Sequence, residues 1–141
     1  MAAHRFPVRV YFEDTDAGGV VYHANYLRWA ERARTESLRA MGLPHQLLIE
    51  RHNLFLVVRR IEVEYLRPAR LDDALVIETR VERLGGASLD LAQDVLDETG
   101  TTPRARLRVG LVCVSQDGLR AARIPEPWAG ALRDVLVPPA G

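Results

Sequence analysis

One cysteine stands in 141 residues, so no intrachain disulfide can form, and neither a C-x-x-C pair nor a zinc-type spacing accompanies it. That residue, Cys113, lies in the apolar run LVCVS, where a buried inert thiol is expected rather than a nucleophile. An excess of charge is missing as well. The 19 basic residues balance 19 acidic ones, which removes the electrostatic footprint of a general nucleic-acid binder. Long apolar runs are also lacking: no segment suffices to span a bilayer, and MAAHRFPVRVYF has no signal-peptide core. A cytoplasmic protein without a nucleic-acid partner is expected. Phosphate-loop, G-x-S-x-G and dinucleotide fingerprints are absent, as are internal repeats and linkers. His4, His45 and His52 are scattered through polar stretches without ligand spacing, so no metal site is expected, even with His23 near Asp14 and Asp16.

What is present is an ordinary globular composition, with 48% hydrophobic and 27% charged residues. One domain over residues 1–141, large enough to bury a core, is the simplest organisation. Val8 to Phe12 alternate and predict a short strand. From about Ala24 to Met41 the period becomes helical, with Tyr26, Ala30, Ala33, Ser37 and Met41 on one stripe flanked by Leu27 and Leu38. Gly42 and Pro44 end it. The small residues at the centre of that stripe let a sheet approach closely. After a polar connection, four alternating runs follow: LFLVVRRIEVEYLRP, ALVIETRVERL, ASLDLAQDVLD and RARLRVGLVCVS. They predict an antiparallel sheet with one covered face, and the early helix is the long element available to cover it. IPEPWAGALRDVL predicts a short terminal helix, and PPAG a frayed end. The layout is α+β. A sheet curled round one helix leaves edges and an outer surface in need of partners, so a homo-oligomer is expected.

The stretch EDTDAGGVVYHANYLRWAERARTE crowds Glu13, Asp14 and Asp16 against Gly18 and Gly19 just before the helix. A solvated loop explains surface acids in general. An acid held beside a helix N-terminus to do chemistry explains the whole arrangement. Glu13 is expected to be solvated, and Asp14 to fix the loop by accepting backbone hydrogen bonds. Asn25 is a candidate helix cap or loop-orienting residue.

VRVYFEDTDAGGVVYHANYLRWAERARTE closely resembles the hotdog-fold acyl-CoA thioesterases, in the YbgC-type subgroup associated with the Tol-Pal cell-envelope system. The likeness continues through VVRRIEVEYLRPARLDDALVIET and LVCVS and covers nearly the whole chain. It implies a hotdog fold, an antiparallel β-sheet wrapped around one long central α-helix. It also implies a dimer with active sites at the subunit interface, assembled into a tetramer. The resemblance makes Asp16 the catalytic aspartate and places His23 where a backbone N–H polarises the thioester carbonyl, with the His23 side chain as a further catalytic candidate. Gly19, Val20, Tyr22, Tyr26 and Arg60 are the candidate substrate-binding residues. Many relatives carry Tyr at the position of Phe12, which cannot donate a hydrogen bond.

The implied substrate is acyl-CoA, with no metal or organic cofactor. Short aliphatic, long aliphatic and aromatic acyl groups all fit the sequence. Asp16 can attack the acyl carbon or deprotonate water, and the residues do not separate the two. Free N–H groups at a helix start suit an oxyanion hole. Gly18 and Gly19 are expected to let backbone and substrate approach closely. Arg104, Arg106 and Arg108 share one strand face, either solvated, inter-subunit or meeting coenzyme A phosphates. Two other functions compete. One is a hydratase or dehydratase acting on carrier-bound acyl chains. The other is a non-catalytic partner of acyl carrier protein or of phospholipid-synthesis enzymes.

Overall fold

The computed structural model describes residues 3–139. Strand β1 (Ala3–Arg9) leads into a single 3-10 turn at Phe12–Asp14, then helix α1 (His23–Ala40) and helix α2 (His45–His52). Strands β2 (Leu54–Tyr65), β3 (Ala74–Leu84), β4 (Ser88–Asp97) and β5 (Pro103–Ser115) follow, and α3 (Trp128–Asp134) closes the chain. The five strands form one antiparallel sheet in the order β1-β3-β4-β5-β2. Register shifts interrupt the β2–β5, β3–β4 and β4–β5 ladders. Each is a point where a sheet bends, which suits wrapping.

The covered face is assembled by strict alternation. Leu75, Ile77 and Val81 of β3 and Ala105, Leu107, Val109, Leu111 and Cys113 of β5 are buried. Burial also pushes the Cys113 thiol above its ordinary pKa, in keeping with an inert core thiol. Helix α1 lies on this face against β1 and β3. Ala30 and Ala33 are fully buried, so the close approach is made where the helix carries only methyl groups. Gln93 of β4 is also fully buried, and its amide donates to the Ala30 carbonyl (2.9 Å) and the Thr79 hydroxyl (3.0 Å). These bonds satisfy a polar group in an otherwise apolar layer. The outer face is a lattice of arginines and carboxylates, including Arg5–Glu78 (2.8 Å), Arg80–Asp94 (3.2 Å) and Arg83–Asp90 (2.7 Å).

Two expectations need correction. The first strand covers Ala3–Arg9 rather than Val8–Phe12, because Val10 leaves the β3 ladder and Asp14 folds the next residues into a turn. The connection after α1 contains helix α2, whose apolar contribution is a single buried residue, Leu48, too little to show as a periodic stripe. The expected frayed tail extends to Ala140 and Gly141, which lie outside the described residues.

Helix α2 is tied to the sheet through His45, whose Nε2 accepts the Leu56 N–H at 2.9 Å. That bond requires the neutral ring, and burial lowers the His45 pKa. Folding therefore favours the unprotonated form. The contribution is complete above about pH 6.5, the unfolded value, and is lost as pH falls toward the depressed folded value. Urea midpoints at pH 7.5 and 5.5 should drop more for the wild type than for His45→Gln. Equal drops would remove His45 from the account.

Candidate active site

Between β1 and α1 the chain makes a small hairpin. Thr15 and Val21 form an antiparallel bridge. Inside it the Asp16 carbonyl accepts the Gly19 N–H (3.0 Å), and the Asp16 N–H donates to the Val20 carbonyl (2.9 Å). This is the three-residue hairpin loop that requires a left-handed residue in its last position. Gly19 fills that position with φ +80°. A side chain at Gly19 would meet nothing within 4 Å, so backbone conformation, not close approach, explains this glycine. Gly18 has the other reason: a Cβ there would lie 3.2 Å from Asp16 Oδ1.

The Asp16 side chain is exposed, and its Oδ1 accepts the Gly18 N–H at 2.8 Å. One carboxylate oxygen is thereby oriented, and Oδ2 has no protein donor among the described residues. Asp14 has the structural part. Its Oδ2 accepts the Tyr11 N–H (2.8 Å), and its carbonyl accepts the Tyr22 N–H (2.9 Å) and the Asn25 amide (2.8 Å). Asn25 is therefore not the cap. Tyr22 occupies that position, and Asn25, buried in the first turn of α1, ties the helix back to the acidic loop. Glu13 is solvent-exposed, as expected.

The helix entry carries free donors. Tyr22 supplies no side-chain cap, and the N–H groups of His23 and Ala24 have no hydrogen-bond acceptor among the described residues. They present the positive end of the α1 dipole beside the Asp16 hairpin. An anion or developing oxyanion suits that place.

A cleft of about 250 Å³ opens alongside, lined by Val21, His23, Tyr26, Tyr65, Leu66 and Pro68, with Arg67 at its wall. Tyr65 is the residue that sequence reasoning missed. Its hydroxyl donates to the His23 carbonyl (3.0 Å), and its ring meets His23 and Tyr26 edge-on at 6.4 and 5.4 Å. The Tyr26 hydroxyl accepts the buried Ala69 N–H (3.1 Å). Burial raises both phenol pKa values, so both stay protonated at neutral pH. The only hint of Tyr65 in the sequence is its position at the end of an alternating strand, just before the L-R-P break.

Asp16, Gly19, Val20, Tyr22, His23 and Tyr26 thus gather at one end of α1. Arg60 does not join them. It sits five residues from Tyr65 on β2, roughly 17 Å along an extended strand, in an outer-face cleft with Glu62, Arg83, Asp90 and Arg108. Arg106 and Arg108 face Glu64 and Glu62 across the β2–β5 register, and Arg108 also donates to Glu82. That side of β5 is charge-compensated. Arg104 differs, since it donates to the Pro68 carbonyl (3.1 Å) behind the cleft.

With Phe12 81% exposed beside the acidic turn, its ring supports nothing within the protomer. Restoring a phenol by Phe12→Tyr is expected to change kcat only modestly. A gain of about a hundredfold, the lower end of what a proton-transferring group supplies, would show that the position matters.

Comparison with known proteins gives the same picture. The thioesterase-like superfamily profile matches residues 10–132. The chain is 43% identical over 121 residues to the Haemophilus influenzae acyl-CoA thioesterase YbgC, covering 86% of this chain and 88% of that protein. Over 122 residues it is 45% identical to the Escherichia coli O6:H1 acyl-CoA thioester hydrolase YbgC, covering 86% and 90%. The crystal structure of a probable thioesterase from Bartonella henselae superposes with a TM-score of 0.81 at 40% identity, covering 87% of this chain and 99% of that one. The antiparallel sheet and the long helix laid on it are thus shared with a solved probable thioesterase, and the chain belongs to the thioesterase-like superfamily, as a hotdog-fold thioesterase related to the YbgC proteins.

Proposed function

We propose that this protein hydrolyses the thioester of an acyl-CoA, releasing a free carboxylic acid and coenzyme A. The observation that carries the proposal is the oriented Asp16 carboxylate on the hairpin that leads into α1, whose first N–H groups, of His23 and Ala24, are unpaired among the described residues. The thioester oxygen would sit at those N–H groups, where charge develops as the carbonyl carbon becomes tetrahedral. Asp16 either takes a proton from the attacking water or attacks the carbon itself, after which water cleaves the mixed anhydride. In both routes a C–O bond forms, the C–S bond breaks, and the thiolate leaves to be protonated. Tyr65 holds the His23 carbonyl and so positions the first turn.

Gly19 and Val20 shape the hairpin, while Tyr22 and Tyr26 wall the acyl end. Arg60 enters this scheme only through a neighbouring subunit, whose β2 edge would bring it to another protomer's Asp16. A dimer with shared sites, paired into a tetramer, satisfies that requirement. Light scattering showing a stable monomer at micromolar concentration, still active, would overturn the shared site. An acyl-CoA substrate implies a cytoplasmic site of action, in keeping with the lack of any described helix long and apolar enough to cross a membrane. Association with the Tol-Pal cell-envelope system and contact with acyl carrier protein belong to the same proposal.

Free thiol release from a chain-length series of acyl-CoAs tests the reaction directly. Release supports the hydrolase. No release at any length supports a binding protein, and water addition to an enoyl thioester without thiol release supports a hydratase.

A further inference from the structure

Beyond the last β2–β5 pair, Tyr65 with Ala105, the chain leaves the sheet. Residues 66–70 belong to no strand, yet Leu66, Arg67 and Pro68 form one wall of the catalytic cleft. The same strip fastens the helix entry. Ala69 is fully buried; its carbonyl accepts the Val21 N–H (2.9 Å), and its own N–H donates to the Tyr26 hydroxyl (3.1 Å). Arg70 forms an antiparallel bridge with Val20 of the acidic hairpin. Tyr65, immediately before the strip, donates to the His23 carbonyl (3.0 Å). The first turn of α1 is therefore only as well placed as residues 66–69.

One residue at the start of β5 sets that strip. The Arg104 carbonyl accepts the N–H groups of both Leu66 (2.9 Å) and Arg67 (3.1 Å), and Arg104 Nη1 donates to the Pro68 carbonyl (3.1 Å). Three consecutive residues are thus tied to the main chain and side chain of a single one. Proline has no N–H, so at Pro68 the carbonyl is the main-chain group that can be held. The guanidinium serves this contact rather than a surface ion pair. No carboxylate among the described residues lies within ion-pair distance of it, and its Nε is buried without an acceptor among them. A buried unpaired donor is unfavourable, and it persists where the other bonds of the side chain fix its position. The cation also acts on the ring that Ala69 contacts: burial raises the Tyr26 phenol pKa, while the Ala69 bond and the Arg104 charge lower it.

We propose that Arg104 is a positioning residue of the active site. From outside the cleft it holds residues 66–69, and through them Val21, His23 and Tyr26, so that the free N–H groups of the helix entry stay fixed relative to the Asp16 hairpin. The inference rests on the thioesterase reading, which puts the developing oxyanion at those N–H groups. Such donors act on charge that appears in the transition state, so displacing them lowers kcat and leaves substrate binding nearly intact.

The test compares Arg104→Met, which keeps the apolar stem without a donor, with Arg104→Lys, which keeps a donor for the Pro68 carbonyl. On the best acyl-CoA, Arg104→Met is expected to lose at least about tenfold in kcat, short of the roughly hundredfold loss of a deleted oxyanion donor, with KM within about twofold. Arg104→Lys should return to within about threefold of the wild type, since its ammonium can still donate to one carbonyl. Amide exchange by NMR gives a readout independent of turnover. In Arg104→Met the Val21 and Ala69 amides should exchange at least about tenfold faster, while amides at the centre of β5 stay unchanged. Undiminished kcat in Arg104→Met, equal losses in the two variants, or faster exchange throughout β5 would each overturn the proposal. All three leave thiol release by the wild type, and with it the thioesterase reading, standing. If the wild type cleaves no acyl-CoA, that reading fails alone, and the exchange pattern still decides whether Arg104 holds the helix entry.

Discussion

Asp16→Asn is expected to lower kcat by about two to four orders of magnitude, the scale of a lost general base, with a much smaller change in KM. The structure makes this substitution unusually clean. The Asn side chain keeps an oxygen where Oδ1 accepts the Gly18 N–H, so the turn that orients the side chain survives. The Gly19 and Val20 bonds that close the hairpin use only the Asp16 backbone and are untouched. No core volume changes, since the side chain is exposed. Only the charge is removed, and with it both nucleophilic attack and proton abstraction. At about 1.4 kcal/mol per decade, the loss corresponds to roughly 3–5 kcal/mol of transition-state stabilisation. His23→Ala should be milder, because the N–H facing the carbonyl belongs to the backbone. If Asp16→Asn retains more than about a tenth of wild-type kcat on the best substrate, far above the range for a lost base, Asp16 is neither the base nor the nucleophile.

The largest effect on stability is expected at the other end of the chain. Trp128 is 1% exposed and belongs to the central core cluster. Its Nε1 donates to the Leu43 carbonyl (3.1 Å), in the connection between α1 and α2, and its ring meets His52 edge-on at 5.6 Å. One side chain thus joins α3 to both ends of α2. Trp128→Ala removes the ring, leaves a cavity and orphans a carbonyl, for a cost of about 3–5 kcal/mol. Domains of this size have only about 5–15 kcal/mol in total, so the variant should be near its folding limit at 37 °C. Trp128→Phe keeps most of the ring volume but forfeits the hydrogen bond, and should fall between the two. The check is denaturant unfolding with m unchanged. A loss below about 1 kcal/mol, well under the range for a buried tryptophan, would mean that α3 merely rests on the surface.

Local pattern carried some of this protein into view and not the rest. Alternation is a property of neighbouring residues, so β3 and β5 show their buried faces in the sequence, and the Ala30–Ala33 stripe announces where the sheet can approach. Helix α2 escaped because one buried leucine makes no period, and the end of β1 moved because Asp14 captures the Tyr11 N–H. That Asp16 and His23 stand on adjoining elements was legible because the loop and helix that present them are contiguous in the chain. Tyr65 was not, since 42 residues separate it from the carbonyl that it holds.

By itself, then, the sequence determined the α+β class, the helix, the four long strands and the acidic loop at the helix entry. Each depends on spacing within a few residues. The tertiary structure alone decided that Gly19 serves a left-handed turn, that Arg60 stands apart from Asp16 within the protomer, and that the Tyr65 hydroxyl meets the His23 carbonyl. Those facts depend on strand order and register, which bring distant residues into contact and which no local period encodes.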